Sequence, residues 1–301
     1  MKKELVLQIQ KKTELFAPPN TWPGGRSLAV SIVVNVEEGA EQSIVDGDER
    51  PDPVDELGIA PRSQIRNYGN ESNYLYGIQA GAPRVMKVLS KHGIPATFTC
   101  AALSLERAPH LAAKIISSGH EVCAHGLRWM HQHRMNEIEE RAFIEATVES
   151  IKKSCGNRPL GWLSRYLITA NTRRLLGETG FVYHMDDYSN DLPFRDKSHE
   201  TSMLVLPYAL DTNDMKMWTS PSYTPSDWLK YAKDSFDCLY YESLDELRMM
   251  SVGVHLRIIG RPGRIHALDK FIEHASSHEG VWIARRIDIA RHWISEEVPV
   301  K

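Results

Sequence analysis

The chain has 301 residues, 42% of them hydrophobic, and a formal net charge of −3 with lysines and arginines scattered along it. That length suits one large core and the usual span of a (β/α) barrel, roughly 200 to 400 residues. The charge balance gives no footprint for nucleic acid or an anionic membrane, and no segment reaches the ~20 apolar residues of a membrane span. Met1-Lys2-Lys3-Glu4-Leu5 opens no apolar leader, so a cytoplasmic location is expected. Cys100, Cys123, Cys155 and Cys238 are widely spaced without a Cys-x-x-Cys pair, which points to reduced thiols, Cys100 and Cys123 in the core.

In chain order, residues 1–25 read as an N-terminal arm. Residues 29–36 form a β-branched apolar run, a buried strand that ends in Glu37, Glu38 and Gly39. Two unpaired acids at the mouth of an apolar core are costly, and persist when a substrate, a cation or a proton compensates them. Capping of the next segment, or arginine partners, is the alternative. Residues 38–70, with Pro51, Pro53 and Pro61, read as a long rim loop or lid. A helix over 83–89 closed by Gly93, a strand over 94–101, a helix over 109–118 and a strand over 121–124 lead to His125-Gly126. Asn136 and Glu139 have capping-box spacing and open a helix to Cys155. A strand over 160–163, a helix from Asn171 to about Gly180 and a run over 181–185 lead to Asp186. The run 203–206 points towards Asp211–Asp214, a long helix is expected over 225–250, and 251–254 runs into His255. Helix 265–278, strand 281–284 and a closing helix through Trp293 complete the alternation.

Each apolar run carries its chemical group at the carboxyl end, so Glu37, Glu38, His125, Arg165, Asp186, Asp211 and His255 would converge on one rim. That arrangement predicts an α/β chain folded as a single distorted (β/α) barrel with its site at that rim. No Gly-x-Gly-x-x-Gly or Walker-type loop follows a strand, so nucleotide binding is not indicated.

Asn35-Val36-Glu37-Glu38-Gly39, Ala124-His125-Gly126-Leu127-Arg128-Trp129, Pro159-Leu160-Gly161-Trp162, Leu210-Asp211-Thr212-Asn213-Asp214-Met215, Ser251-Val252-Gly253-Val254-His255 and Gly260-Arg261-Pro262-Gly263-Arg264 occur in that order. Together they resemble the polysaccharide deacetylase (NodB-homology) superfamily, in particular its allantoinase-like (PuuE-type) and cyclic imide hydrolase branch. The resemblance implies the deacetylase-type distorted barrel, with Glu37 at the position of the general base, Glu38 and His125 at metal-ligand positions, and His255 at that of the general acid. The second metal-binding histidine of the family pattern is replaced by Trp129. Glu38 and His125 alone fall short of the three protein ligands of a catalytic zinc, so no metal cofactor is expected, with zinc or another divalent ion as the alternative. His131 and His133 lack the ligand spacing and read as bystanders. Around Arg165 the segment departs from the allantoinase-like pattern by an insertion and a lost proline.

Hydrolysing an amide or cyclic ureide needs an activated water, stabilisation of an oxyanion and a proton for the departing nitrogen. Glu37 suits the base, His255 the acid, and His125 either orients the water or holds a carbonyl. Burial beside its neighbour should raise the pKa of one of the two glutamates. Trp129, Trp162 and Trp218 wall a small flat pocket or pack the core, Arg165 and Asn213 with Asp214 contact substrate, and Arg173 and Arg174 are solvated. For Asn213 and Asp214, binding of a ring imide edge and an Asx-type turn stand as equal readings. The expected function is a hydrolase of non-peptide carbon–nitrogen bonds in a small cyclic amide. The alternatives are a metal-dependent polysaccharide deacetylase and a non-catalytic metabolite-binding barrel. A small molecule is the expected partner, and a homo-oligomer the expected assembly.

Overall fold

The computed structural model describes residues 16–54, 56, 58, 64–196, 202–219, 221–296 and 298–299; residues 1–15 of the expected arm over 1–25 and part of the rim loop, at 55, 57 and 59–63, lie outside them. At its centre is strand β1 (Leu28–Val36), buried at all nine positions. Its two faces carry different loads. Leu28, Val30, Ile32, Val34 and Val36 pack outward against the helices, whereas Ala29 and Val33 join Cys123, Tyr183, Leu204 and Met249 in the filling of the barrel and its base. Strand side chains alternate with period two, so the inward row of β1 continues through Asn35 to Glu37.

Apart from a separate antiparallel pair of Phe16–Ala17 with Val298–Pro299, the remaining strands, all of one sheet with β1, are β2 (Thr97–Cys100), β3 (Glu121–Ala124), β4 (Gly161–Trp162), β5 (Tyr183–His184), β6 (Phe194–Asp196), β7 (Met203–Val205), β8 (Arg248–His255) and β9 (Val281–Ile283). They follow the hydrogen-bonded order β9-β1-β2-β3-β4-β5-β7-β6, and β8 lies along the other edge of β1 from Leu28↔Arg248 to Asn35↔His255. All pairs are parallel except the β6/β7 hairpin. Among the described residues no ladder joins β8 to β7. The barrel is therefore open at one seam, crossed by the single bridge Asn213↔Gly253 and by the Thr212 hydroxyl donating to Ser251 O at 2.6 Å.

Arg286 closes that seam from below. It opens the last helix (Arg286–Glu296), is fully buried, and donates to Leu206 O at 2.8 Å, to Pro207 O at 3.0 Å and to the Ser251 hydroxyl. A second device fixes the rim beside β1. Helix α1 (Tyr68–Tyr76) passes through a π-helical turn (Gly77–Gly81) into α2 (Ala82–His92), and that turn lies against the short helix α3 (Leu256–Ile259). A Cβ on Gly77 would collide with Glu38 Oε1, and one on Gly81 with Leu256 O, so glycine permits the approach.

Most predicted elements appear within a few residues of their expected bounds, including the Asn136/Glu139 capping box on the helix Glu137–Cys155. Two differ. The expected helix over 225–250 ends at Glu242, and 248–250 belong to β8, where Met249 faces the barrel and Met250 the helices. The expected loop over 38–70 conceals the start of α1, whose buried positions are Asn70, Asn73 and Tyr74 rather than an apolar stripe. Cys100 and Cys123 are buried and unpaired, and no helix among the described residues is long and apolar enough to cross a membrane.

Removing the Arg286 guanidinium strands buried carbonyl oxygens at the seam. Arg286→Met is expected to lower unfolding free energy by roughly 2–3 kcal/mol in urea denaturation, the range for losing hydrogen bonds to a charged donor.

Candidate active site

Three strand ends bring the reactive groups together. Glu37 follows β1, His125 follows β3 and His255 closes β8, and all three are buried and line one cavity of about 80 Å³. Glu37 Oε1 lies 3.5 Å from His125 Nε2 and 3.4 Å from His255 Nε2, while its Oε2 receives Arg257 Nη1 at 2.7 Å. Burial disfavours charge on Glu37, yet Arg257, then His255, with both imidazoles packed against it, hold its carboxyl well below the usual range. Glu37 is ionised at neutral pH.

The two histidines are held differently. His125 Nδ1 faces Leu163 O at 2.7 Å, an acceptor, so Nδ1 carries a hydrogen and Nε2 is turned towards Glu37. A water in the cavity within reach of both Nε2 and Oε1 would be oriented by the two together. His255 Nδ1 pairs with Asp214 Oδ1 at 2.7 Å, and Asp214 Oδ2 also receives the amides of His255 and Ile259. Burial opposes a charged imidazole there, but Glu37 and Asp214 push the pKa of His255 up to about 10. His255 therefore stands as an imidazolium, a stored proton beside the base.

Several expectations need correction. Glu38 does not line the cavity: its carboxylate accepts the amides of Glu37 at 3.0 Å and Arg257 at 3.1 Å, tying β1 to α3. Of the glutamate pair it is Glu38, not the base, that burial pushes up to about 7. Asp214 is fully buried and positions His255 instead of meeting substrate. Trp162 is core, wedged edge-on between Phe143 and Phe181 with its indole N–H on Ser164 Oγ at 2.8 Å. Trp218 is likewise absent from the cavity wall and points its N–H at Met215 Sδ. Asp211 is partnered by the Tyr231 hydroxyl, and Asp186 accepts the Ser164 amide; neither lines the cavity. Arg173 is not merely solvated but paired with Asp187 and Asp196.

Trp129, Arg165 and Asn213 do line the cavity. The Arg165 guanidinium lies 3.6 Å over the Trp129 ring and grips buried Asp52 with both terminal nitrogens, at 2.7 and 2.8 Å. Asn213 realises the turn reading, accepting the Met215 amide at 3.0 Å, while still bordering the cavity. Asn35, Ser164, Tyr166, Tyr188, Tyr208 and Met215 also belong to the wall. Tyr166 adopts φ 53°, a left-handed conformation uncommon outside glycine, in the segment that departs from the family pattern.

The residue that sequence reasoning missed is Arg257. Fully buried, it neutralises Glu37, approaches Glu56 at 3.2 Å and lies 4.3 Å over the ring of Tyr74. The available signal was general: two buried acids demand a cation, and arginine partners were among the alternatives. Its presence also decides the fit of a divalent ion. Glu38 is engaged by backbone amides, Trp129 offers no ligand atom, and a guanidinium already holds Glu37, so the residues do not form a metal site. Among the described residues, three possible ligands gather only at Asp237, His274 and His278, none of which lines the cavity.

The family model of the polysaccharide deacetylases matches residues 73–184. A curated protein of Schizosaccharomyces pombe named "Putative polysaccharide deacetylase" is 34% identical over 298 residues, covering 91% of this chain and 92% of its own. The crystal structure of a probable polysaccharide deacetylase from Pseudomonas aeruginosa PAO1 superposes with a TM-score of 0.89 at 39% identity, over 93% of this chain and 95% of that one. The crystal structure of Puue allantoinase gives 0.89 at 40% identity, over 93% and 94%.

The competent state has Glu37 ionised and His255 protonated, so kcat/KM is expected to stay level through neutral pH and fall as His255 loses its proton towards about 10. Removing the anion that favours the imidazolium lowers its pKa. Asp214→Asn should accordingly move the alkaline limb to lower pH in a pH–rate profile of the folded variant.

Proposed function

The chain belongs to the polysaccharide deacetylase family and is a hydrolase of carbon–nitrogen bonds other than peptide bonds, and within that family we propose that it opens a small cyclic amide, an allantoin-like ureide or a cyclic imide, without a metal. The observation that carries this reading is Arg257 on Glu37 at 2.7 Å: the positive charge beside the base is a buried side chain of the protein. The cavity is small, about 80 Å³, which suits a compact ring better than several sugar units at once. Residues 39–54 contribute to that enclosure through Asp52, which reaches Arg165 at the cavity wall.

In the proposed reaction the ring carbonyl lies in the cavity alongside Glu37 and His255. Glu37 takes a proton from the water oriented with His125, and the water oxygen attacks the carbonyl carbon. His255, kept charged by Asp214, gives its proton to the ring nitrogen as the carbon–nitrogen bond breaks. Trp129 supplies a flat wall, and Arg165 holds it in place from behind.

The alternative is deacetylation of an N-acetylated sugar polymer, the activity in the names of the yeast and Pseudomonas relatives. One assay separates the two. Purified protein should hydrolyse a member of a panel of allantoin, hydantoin, dihydrouracil and succinimide, leave N-acetylglucosamine oligomers intact and keep its rate after chelator treatment. Turnover of the oligomers alone, abolished by chelation, would overturn the reading. Glu37→Gln and His255→Asn, checked for folding by circular dichroism, should each lower turnover by roughly 10²- to 10⁴-fold.

A further inference from the structure

Tyr208 follows β7, is bordered by the same cavity, and has no task in the reaction described above. Its phenolic oxygen meets two side-chain amides, Asn35 Nδ2 at 2.9 Å and Asn213 Nδ2 at 3.3 Å. Either amide could turn its oxygen or its nitrogen to a hydroxyl, and the backbone decides which. Asn35 Nδ2 also donates to Val254 O at 3.1 Å, a group that only accepts, while its Oδ1 takes the Thr99 hydroxyl at 2.7 Å. Asn213 Oδ1 takes the Met215 amide at 3.0 Å, a group that only donates. Both amides must therefore present N–H to Tyr208, and its oxygen accepts twice.

A hydroxyl has two lone pairs and one hydrogen. With both lone pairs engaged, the hydrogen leaves in the remaining direction, and no described residue lies within reach to receive it. The oxygen is also close to the reacting groups. Asn35 stands two residues before Glu37 on the same strand face and opposite His255 in the ladder. Gly253 makes room for it: a Cβ there would collide with the Tyr208 hydroxyl. Burial keeps the phenol protonated, raising its pKa far above the ordinary value.

We propose that the Tyr208 hydroxyl, locked by Asn35 and Asn213, donates its hydrogen to the carbonyl oxygen of the substrate and stabilises the oxyanion that forms there. A donor fixed in direction before the reaction loses nothing to reorientation when charge develops, which is the condition for strong oxyanion stabilisation. The proposal rests on acyl carbon–nitrogen hydrolysis, the reaction of the family, and not on the choice between a cyclic amide and an acetylated sugar.

Tyr208→Phe removes the hydroxyl alone. Measured on whichever substrate of the panel, cyclic amide or sugar oligomer, the wild type turns over, kcat should fall by roughly 10²- to 10³-fold with KM changed less than about threefold. The limbs of the pH–rate profile should stay in place, because the variant leaves Glu37, His255 and Asp214 untouched. A folded Tyr208→Phe with kcat within about threefold of wild type overturns the proposal; failure of the cyclic amides as substrates overturns only the reading of the preceding subsection. A neutron structure of the free protein decides the matter without any substrate. Its deuteron on Tyr208 should point into the cavity, and a deuteron directed at Asn35 or Asn213 would overturn the assignment.

Discussion

Two glutamates can stand side by side at the closed end of an apolar strand because one guanidinium is buried with them. Arg257 binds Glu37 through its side chain and Glu38 through its own backbone amide, so one residue compensates both members of the pair. The consequences differ for the two carboxylates. Glu37 becomes a permanently charged group facing the cavity, whereas Glu38, remote from the substrate and pushed up to about 7, becomes a strut between β1 and α3. The charge on His255 follows from the same arrangement, because an imidazolium is stable only between Glu37 and Asp214. Removing one partner of so enclosed an ion pair leaves an uncompensated charge, which is why the base, its cation and the acid must be retained or replaced together.

Much of this was legible in the sequence. The alternation of apolar runs and helical stretches, with chemical groups at the carboxyl ends, fixes a barrel and its working rim. Glu37, His125 and His255 could be named because each ends or directly follows a strand. The misassigned residues share a cause: a position next to the reactive group was taken for a position facing substrate. Glu38 and Asp214 sit beside it in sequence or space, yet turn their oxygens to backbone amides. Trp162 alternates into the layer between strand and helix. Arg257, Asp52 and Tyr208 were illegible for a different reason. Arg257 lies two residues beyond the recognisable block that ends at His255, and Asp52 inside a polar stretch without periodicity; their partners are 220 and 113 residues away, respectively.

The polar stretch after Glu38, with only a 3-10 turn (Ile44–Asp46) as regular structure before α1 among its described residues, shows how such a segment is made specific. Arg107 clasps Asp46, Arg128 clasps Asp48 and Arg165 clasps Asp52, three arginines from three different places in the barrel rim gripping acids at every second or fourth residue of one loop. Surface pairs contribute little individually, but Arg165 and Asp52 are buried, and their pairing holds Arg165 flat on Trp129. The shape of the cavity wall thus depends on a loop whose own sequence looks featureless.

The uneven lengths of the strands have a further consequence. β1 and β8 share eight paired positions, whereas β4 and β5 share two and β3 meets β4 at one. Long ladders open only with global unfolding; short ones open locally at lower free energy. Glu37 and His255 are mounted on the long ladder, and the Ser164–Tyr166 wall follows the short one. Amide hydrogen exchange would accordingly be slow beneath Glu37 and His255 and fast beneath the wall over 164–166. A barrel built this way can exchange one substrate for another over evolutionary time by reshaping its loosely held side, while the chemistry on the other side stays in register.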